Sequence, residues 1–174
     1  MIKYICMLLL VVNVMSFAQT KKEVTDGIFI TFPSTPEYKV LQGNPTYSSK
    51  TDNALYMAVI AKNIIPQYSD YVQAQKTWSE KEKQQVIDAL LDNAVRGRLD
   101  YTGSKGSSSK IKKGKFDGRE IQFQAINPLT GNKCTVKTII LLVRNSLVSF
   151  EVWSMKDFLS SGDSDNYLNS ISFY

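Results

Sequence analysis

Histidine is absent from all 174 residues of the chain. Without imidazole there is no Ser-His-Asp or Cys-His nucleophile, no His-ligated zinc or haem, and no His general base. Cysteine is nearly absent too, at Cys6 and Cys134. Nine glycines and five prolines are too few for a collagen-like or linker-dominated chain, and 11% aromatic content is too high for an intrinsically disordered one. Long apolar runs are confined to the N-terminus, and that run falls short of the roughly 20 residues a membrane span needs.

What stands at the N-terminus reads instead as a secretory signal. Lys3 supplies the positive start, Ile5 to Val12 the apolar stretch, and Ser16-Phe17-Ala18 the small residues of a cleavage site, so cleavage is expected after Ala18. Gln19 follows, where a lipoprotein would carry cysteine. Residues 1–18 are thus expected to be removed, leaving a single domain over 19–174 with no transmembrane anchor, exported to the periplasm or beyond the cell. That domain keeps only Cys134, which has no partner for an internal disulfide. Core burial must hold it, which is feasible because a domain of about 150 residues buries about 68–70% of its unfolded surface. Alternation with Val136, opposite Lys133 and Lys137, makes Cys134 a small buried hydrophobe.

Periodicity sets out the elements. Ile28 to Phe32 form a β-rich run stopped by Pro33, and the segment around Tyr38 to Leu41 is expected to return as its hairpin partner. Residues 54–61 are apolar at both alternating sets of positions, as in a strand covered on both sides. From Ser79 the period becomes helical, with Ile87, Leu90, Leu91, Ala94 and Val95 on one stripe, Ser79 and Glu82 as a capping box, and Arg96 and Arg98 near the C-terminal dipole. Gly103 to Ser109 reads as a surface loop. Strands follow at 110–116, 119–126, 134–143 and 147–153, with turns expected at Asp117-Gly118 and Arg144-Asn145, and a last helix from Asp163 or Ser164 to Ser170. The sum is an α+β domain: an α/β/α sandwich of a largely antiparallel sheet of about six to seven strands with two principal helices.

The order of these features resembles a known family. Phe29-Ile30-Thr31-Phe32-Pro33 with a second proline at 36, a strand, a long amphipathic helix, Lys115 to Glu120, a hairpin at Arg144-Asn145 and a closing Ser170-Ile171-Ser172-Phe173 resemble the PsbP-like, Mog-type fold, including its exported bacterial members related to DcrB. The resemblance spans nearly the whole mature chain. It implies a non-enzymatic accessory or binding domain, and it carries over no set of functional residues.

Catalytic and metal motifs give little. Ser107-Ser108-Ser109-Lys110 and Ser164-Asp165-Asn166 imitate the motifs of penicillin-recognising serine enzymes, but only eight residues follow Asn166, too few for the Lys-Thr-Gly strand that chemistry needs. Asp163-Ser164-Asp165-Asn166 lacks the glycine and distal glutamate of a calcium loop, and reads as a helix cap. No phosphate-binding glycine motif is present, and no cofactor or metal is expected.

Charge and aromatics give two candidate surfaces. Between Arg96 and Arg119 lie Arg96, Arg98, Lys105, Lys110, Lys112, Lys113, Lys115 and Arg119 against only Asp100 and Asp117. Such a stretch can gather an anionic envelope component, or it can be a solvated, lysine-protected sheet edge. It lacks the interleaved aromatics of a stacking platform, and with the export signal this speaks against nucleic acid. Tyr68, Tyr71 and Trp78, between a strand and the main helix, form a candidate surface for an envelope protein. The function expected from sequence is therefore an exported, non-catalytic binding or accessory domain of the bacterial envelope. The alternative is a small hydrolase with a Ser-Lys or carboxylate mechanism.

Overall fold

The computed structural model describes residues 19–155 and 161–174; the leader expected over 1–18 lies outside them. Ten strands and three helices are formed there: β1 (Thr20–Thr25), β2 (Ile28–Phe32), β3 (Glu37–Leu41), β4 (Asn44–Lys50), β5 (Ala54–Lys62), α1 (Tyr68–Ala74), α2 (Glu80–Thr102), β6 (Gly106–Lys113), β7 (Phe116–Ile126), β8 (Lys133–Val143), β9 (Ser146–Ser154), α3 (Ser161–Asn169) and β10 (Ser172–Phe173). No helix among the described residues is long and apolar enough to cross a membrane. The α+β class is as expected. A seven-stranded antiparallel sheet runs in the order β3-β4-β5-β9-β8-β7-β6, beside a small sheet of order β1-β2-β10.

Helix α2 is built by the signals its sequence carries. Ser79 and Glu82 close a capping box, Glu82 Oε2 accepting from the Ser79 amide at 2.7 Å. Gly103, at φ 61°, ends the helix in a Schellman closure, with Ser104 N donating to Leu99 O at 2.9 Å and Gly103 N to Asp100 O at 3.1 Å. The helix lays Leu91 and Val95 on one face of the sheet, against Ile121, Phe123, Val136 and Ile140. The opposite face carries the larger core, in which Ile28, Ile30 and Phe32 of β2 and Tyr167 and Leu168 of α3 pack on Ala58, Ile60, Leu141, Phe150 and Val152. Three layers result, with the central sheet between α2 on one side and α3 plus the small sheet on the other.

Several local expectations are corrected. β2 does not pair with β3. It pairs with β1 through an Asp26-Gly27 turn and with β10, while β3 pairs with β4. Asp-Gly supplies the two positive-φ positions that a tight hairpin requires, so the chain folds back before Ile28. Ser107 to Ser109 are strand, not loop, because each finds a partner on β7. The turn between β6 and β7 is at Gly114 (φ 58°) rather than Asp117-Gly118. Gly118 lies inside β7, where a Cβ would meet Ile140 O at 2.5 Å. Arg96 and Arg98 lie before the last turn of α2, which holds no basic residue, so they do not complement its dipole. Helix α3 starts at Ser161, which puts Ser164 inside the helix and not at its cap.

Candidate functional site

The main helix covers only part of the sheet. It packs on β7 and β8, and among the described residues no helix packs as closely on the same face of β5 and β4. Along β5, Ala54, Tyr56, Ala58 and Ile60 enter the larger core, so Met57, Val59 and Ala61 must point to the α2 side, where they are half-buried. Their cross-strand partners on β9, Glu151, Ser149 and Leu147, share that face. The result is a groove of about 990 Å³, with the strands as floor, the C-terminal half of α2 as one wall and the β3–β4 hairpin as the other. Tyr101, Ile126, Val40 and Leu41, all at least half exposed, stand around it.

Among the described residues, two charged ones line this groove, and they neutralise each other. Arg98 of α2 pairs with Glu151 of β9, whose side chain is only 4% exposed. The same carboxylate oxygen accepts from the Trp153 indole nitrogen at 2.8 Å, and the Arg98 guanidinium lies 5.2 Å from the Trp153 ring centroid. Helix, sheet and indole are thereby locked together where the floor meets the wall. Arg98 Nε is buried with no acceptor among the described residues. Gly97, one residue earlier, leaves the wall open: a Cβ there meets nothing within 4 Å.

The basic stretch does not form one patch. Arg119 is 3% exposed and sits between Asp88 (2.8 Å) and Asp92 (2.7 Å) of α2. Lys110 also reaches Asp88, at 2.8 Å. Arg96 donates to Asn93 at 2.5 Å and Arg98 is spent on Glu151. On β6 the residues alternate in direction, so Lys110 and Lys112 point to the α2 side while Lys113 points to the α3 side, where it meets Asn169 at 3.4 Å. Lys105 is exposed before β6, and Lys115 lies over the Phe116 ring at 5.5 Å. Counting charge along the sequence missed Asp88, Asp92 and Glu151, because helix α2 and strand β9 bring them in from outside the window.

The aromatic trio does come together. Tyr68 and Tyr71 stack at 5.9 Å between ring centroids, Trp78 meets Tyr71 edge-on at 5.7 Å, and Gln75 donates to the Tyr71 hydroxyl at 2.7 Å. All three rings are half-buried by one another around α1. The Ser-Lys pair does not come together: three residues apart on β6, Ser107 and Lys110 point to opposite faces. Lys137 is held by Asp165 at 2.9 Å and Glu120 at 3.1 Å, and its hydrogen bond to Asp165 raises its pKa. An amine acting as base or nucleophile needs the opposite shift. Burial also raises the Cys134 thiol, which makes it a core residue rather than a reactive one. Among the described residues no cluster of acidic or sulfur side chains could hold a metal.

No protein-family model matches the chain, and no curated protein does. Among solved structures, a protein from Bacteroides thetaiotaomicron is similar over 90% of this chain at 14% identity and a TM-score of 0.48. This chain spans 49% of the length of that protein. A Pseudomonas aeruginosa protein of unknown function is similar over 78% of this chain and 82% of its own length, at 10% identity and a TM-score of 0.36.

Proposed function

We propose that this protein is an exported, non-catalytic binding domain of the bacterial envelope, of the PsbP-like kind, and that the groove beside α2 is its binding site. The observation that carries the reading is the uncovered apolar face of β5 and β9, walled by α2 into a space of about 990 Å³. Small-molecule sites span about 300–1,000 Å³, with mostly apolar linings and a few placed polar groups. This groove has that character: Met57, Val59, Ala61 and Leu147 form the floor, and Arg98 is the polar handle. Because Arg98 and Glu151 cancel, the groove contributes no net charge and selects a ligand chiefly through its apolar chain, with the ligand's head oxygen left to meet Arg98. The fitting ligand is an acyl chain presenting a carbonyl oxygen, abundant in the envelope to which the leader would send the protein.

The test is displacement of 1-anilinonaphthalene-8-sulfonate by dodecanoate, followed by fluorescence. Wild-type protein is expected to bind the dye and release it to dodecanoate, and Gly97→Leu, which puts a side chain into open groove space, is expected to weaken both at least about tenfold, or about 1.4 kcal/mol. Equal binding by the variant would remove the groove from consideration. Loss of binding on changing Tyr68, Tyr71 or Trp78 instead would move the site to α1.

A further inference from the structure

The two ends of the seven-stranded sheet are finished differently. β6 carries Lys110, Lys112 and Lys113, the charges that discourage a second sheet from adding to an edge. β3 at the other end has every residue exposed, including Tyr38 at 56% and Val40 at 58%, and nothing among the described residues pairs with its outer side.

The backbone geometry of that edge follows from its hairpin. Gln42 (φ 51°) and Gly43 (φ 81°) form a two-residue turn that makes Leu41 and Asn44 a hydrogen-bonded pair. Bonded pairs alternate, so Lys39 with Thr46 and Glu37 with Ser48 are bonded as well, while Val40 lies opposite Pro45, which has no N–H to give. Tyr38 and Val40 therefore turn their N–H and C=O groups outward. These are the groups an added strand would use.

We infer that β3 pairs antiparallel with β3 of a second copy of this chain, in the register that sets Tyr38 opposite Tyr38. The charges choose both occupant and register. With Tyr38 on the two-fold axis, Glu37 of each copy faces Lys39 of the other, twice, in close non-hydrogen-bonded positions. The next register of the same parity puts Lys39 against Lys39, which is repulsive. In the favoured register the two Tyr38 residues exchange main-chain bonds, and each Val40 N–H reaches the Pro36 carbonyl of the other copy. The Glu37–Lys39 contact within one chain, 2.8 Å and exposed, becomes half of a four-charge cluster. An axis of this kind is perpendicular to the sheet, so both copies present their α2 helices and grooves on the same face. Five paired residues bury less than the roughly 1,200–2,000 Å² of a standard interface, which makes the dimer weak and concentration-dependent.

Sedimentation equilibrium of the protein from about 10 μM to about 1 mM tests this, since small interfaces associate in that range. Reversible dimerisation is expected for the wild type. Lys39→Glu and Glu37→Lys should each weaken it at least about tenfold, and the double variant, which restores opposite charges across the axis, should return to within about threefold of wild type. Val40→Pro removes an outward N–H and no internal bond, so it should abolish the dimer while the far-ultraviolet circular dichroism stays unchanged. A wild type that is monomeric throughout, or a double variant that fails to recover, overturns the inference. Dye binding in the groove by a monomeric wild type would separate that failure from failure of the proposed function.

Discussion

Arg98 on α2 and Glu151 on β9, 53 positions apart in sequence, form a partly buried ion pair at the base of an apolar groove, with the Trp153 indole bonded to the same carboxylate oxygen. Removing one charge strands the other in a low-dielectric site. Glu151→Gln is therefore expected to cost about 3 kcal/mol in urea unfolding, whereas the double variant Arg98→Met with Glu151→Leu should recover most of that loss. Additive losses in the double variant would mean that the pair is not coupled.

Asp88 gives the protein an acid-sensitive joint between α2 and the sheet. Its hydrogen bonds to Lys110 and then Arg119 lower its pKa from 3.8 to about 2. A depressed carboxylate contributes stability that is complete above the unfolded value and is lost as pH falls through the folded one. Wild type should therefore lead Asp88→Asn by about 2 kcal/mol at neutral pH, because the buried Arg119 loses one of its two carboxylate partners. The difference should shrink between about pH 4 and about pH 2, as thermal melts across that window will show.

Two glycines should respond in opposite directions. Gly97 is helical with open space at its Cβ, so Gly97→Ala should stabilise by about 0.5–1 kcal/mol. Gly118 is pressed against the neighbouring strand, and Gly118→Ala would drive its Cβ into Ile140 O and Leu141 Cδ2 at 2.5 and 2.6 Å. Since a backbone oxygen in a ladder has little room to yield, a loss of about 3 kcal/mol is expected by chemical denaturation.

Cys134 should ignore thiol reagents in the folded state. It is buried, 1% exposed, and its thiol is pushed up by desolvation. Reaction with dithiobis-nitrobenzoate should follow global unfolding in urea, and fast modification of native protein would contradict its place in the core.

Periodicity and capping signals were enough to read α2, the β7–β8–β9 meander and the double-sided β5, because each of those depends on neighbours in sequence. The partner of β2 was not legible. Turn chemistry at Asp26-Gly27 had to be weighed against the prolines at 33 and 36, and β10 arrives from the far end of the chain. The basic stretch looked like a site because its counter-charges lie outside it in sequence, Asp88 and Asp92 earlier in α2 and Glu151 in β9. One signal for the groove was present. Glu151, a carboxylate inside the apolar run from Val148 to Trp153, had to meet a cation, and Met57, Val59 and Ala61 formed a second apolar face on β5 that needed a cover. Which helix would cover it, and how far, is set by the tertiary placement of α2.

The most direct measurement of the central claim is a series of amide ¹H–¹⁵N spectra of labelled protein titrated with dodecanoate. The expected result is saturable shifts clustered on Val59, Gly97, Arg98, Tyr101, Leu147 and Ser149, the residues that enclose the groove. Shifts centred on Tyr68, Tyr71 and Trp78, or none at saturating ligand, would contradict it.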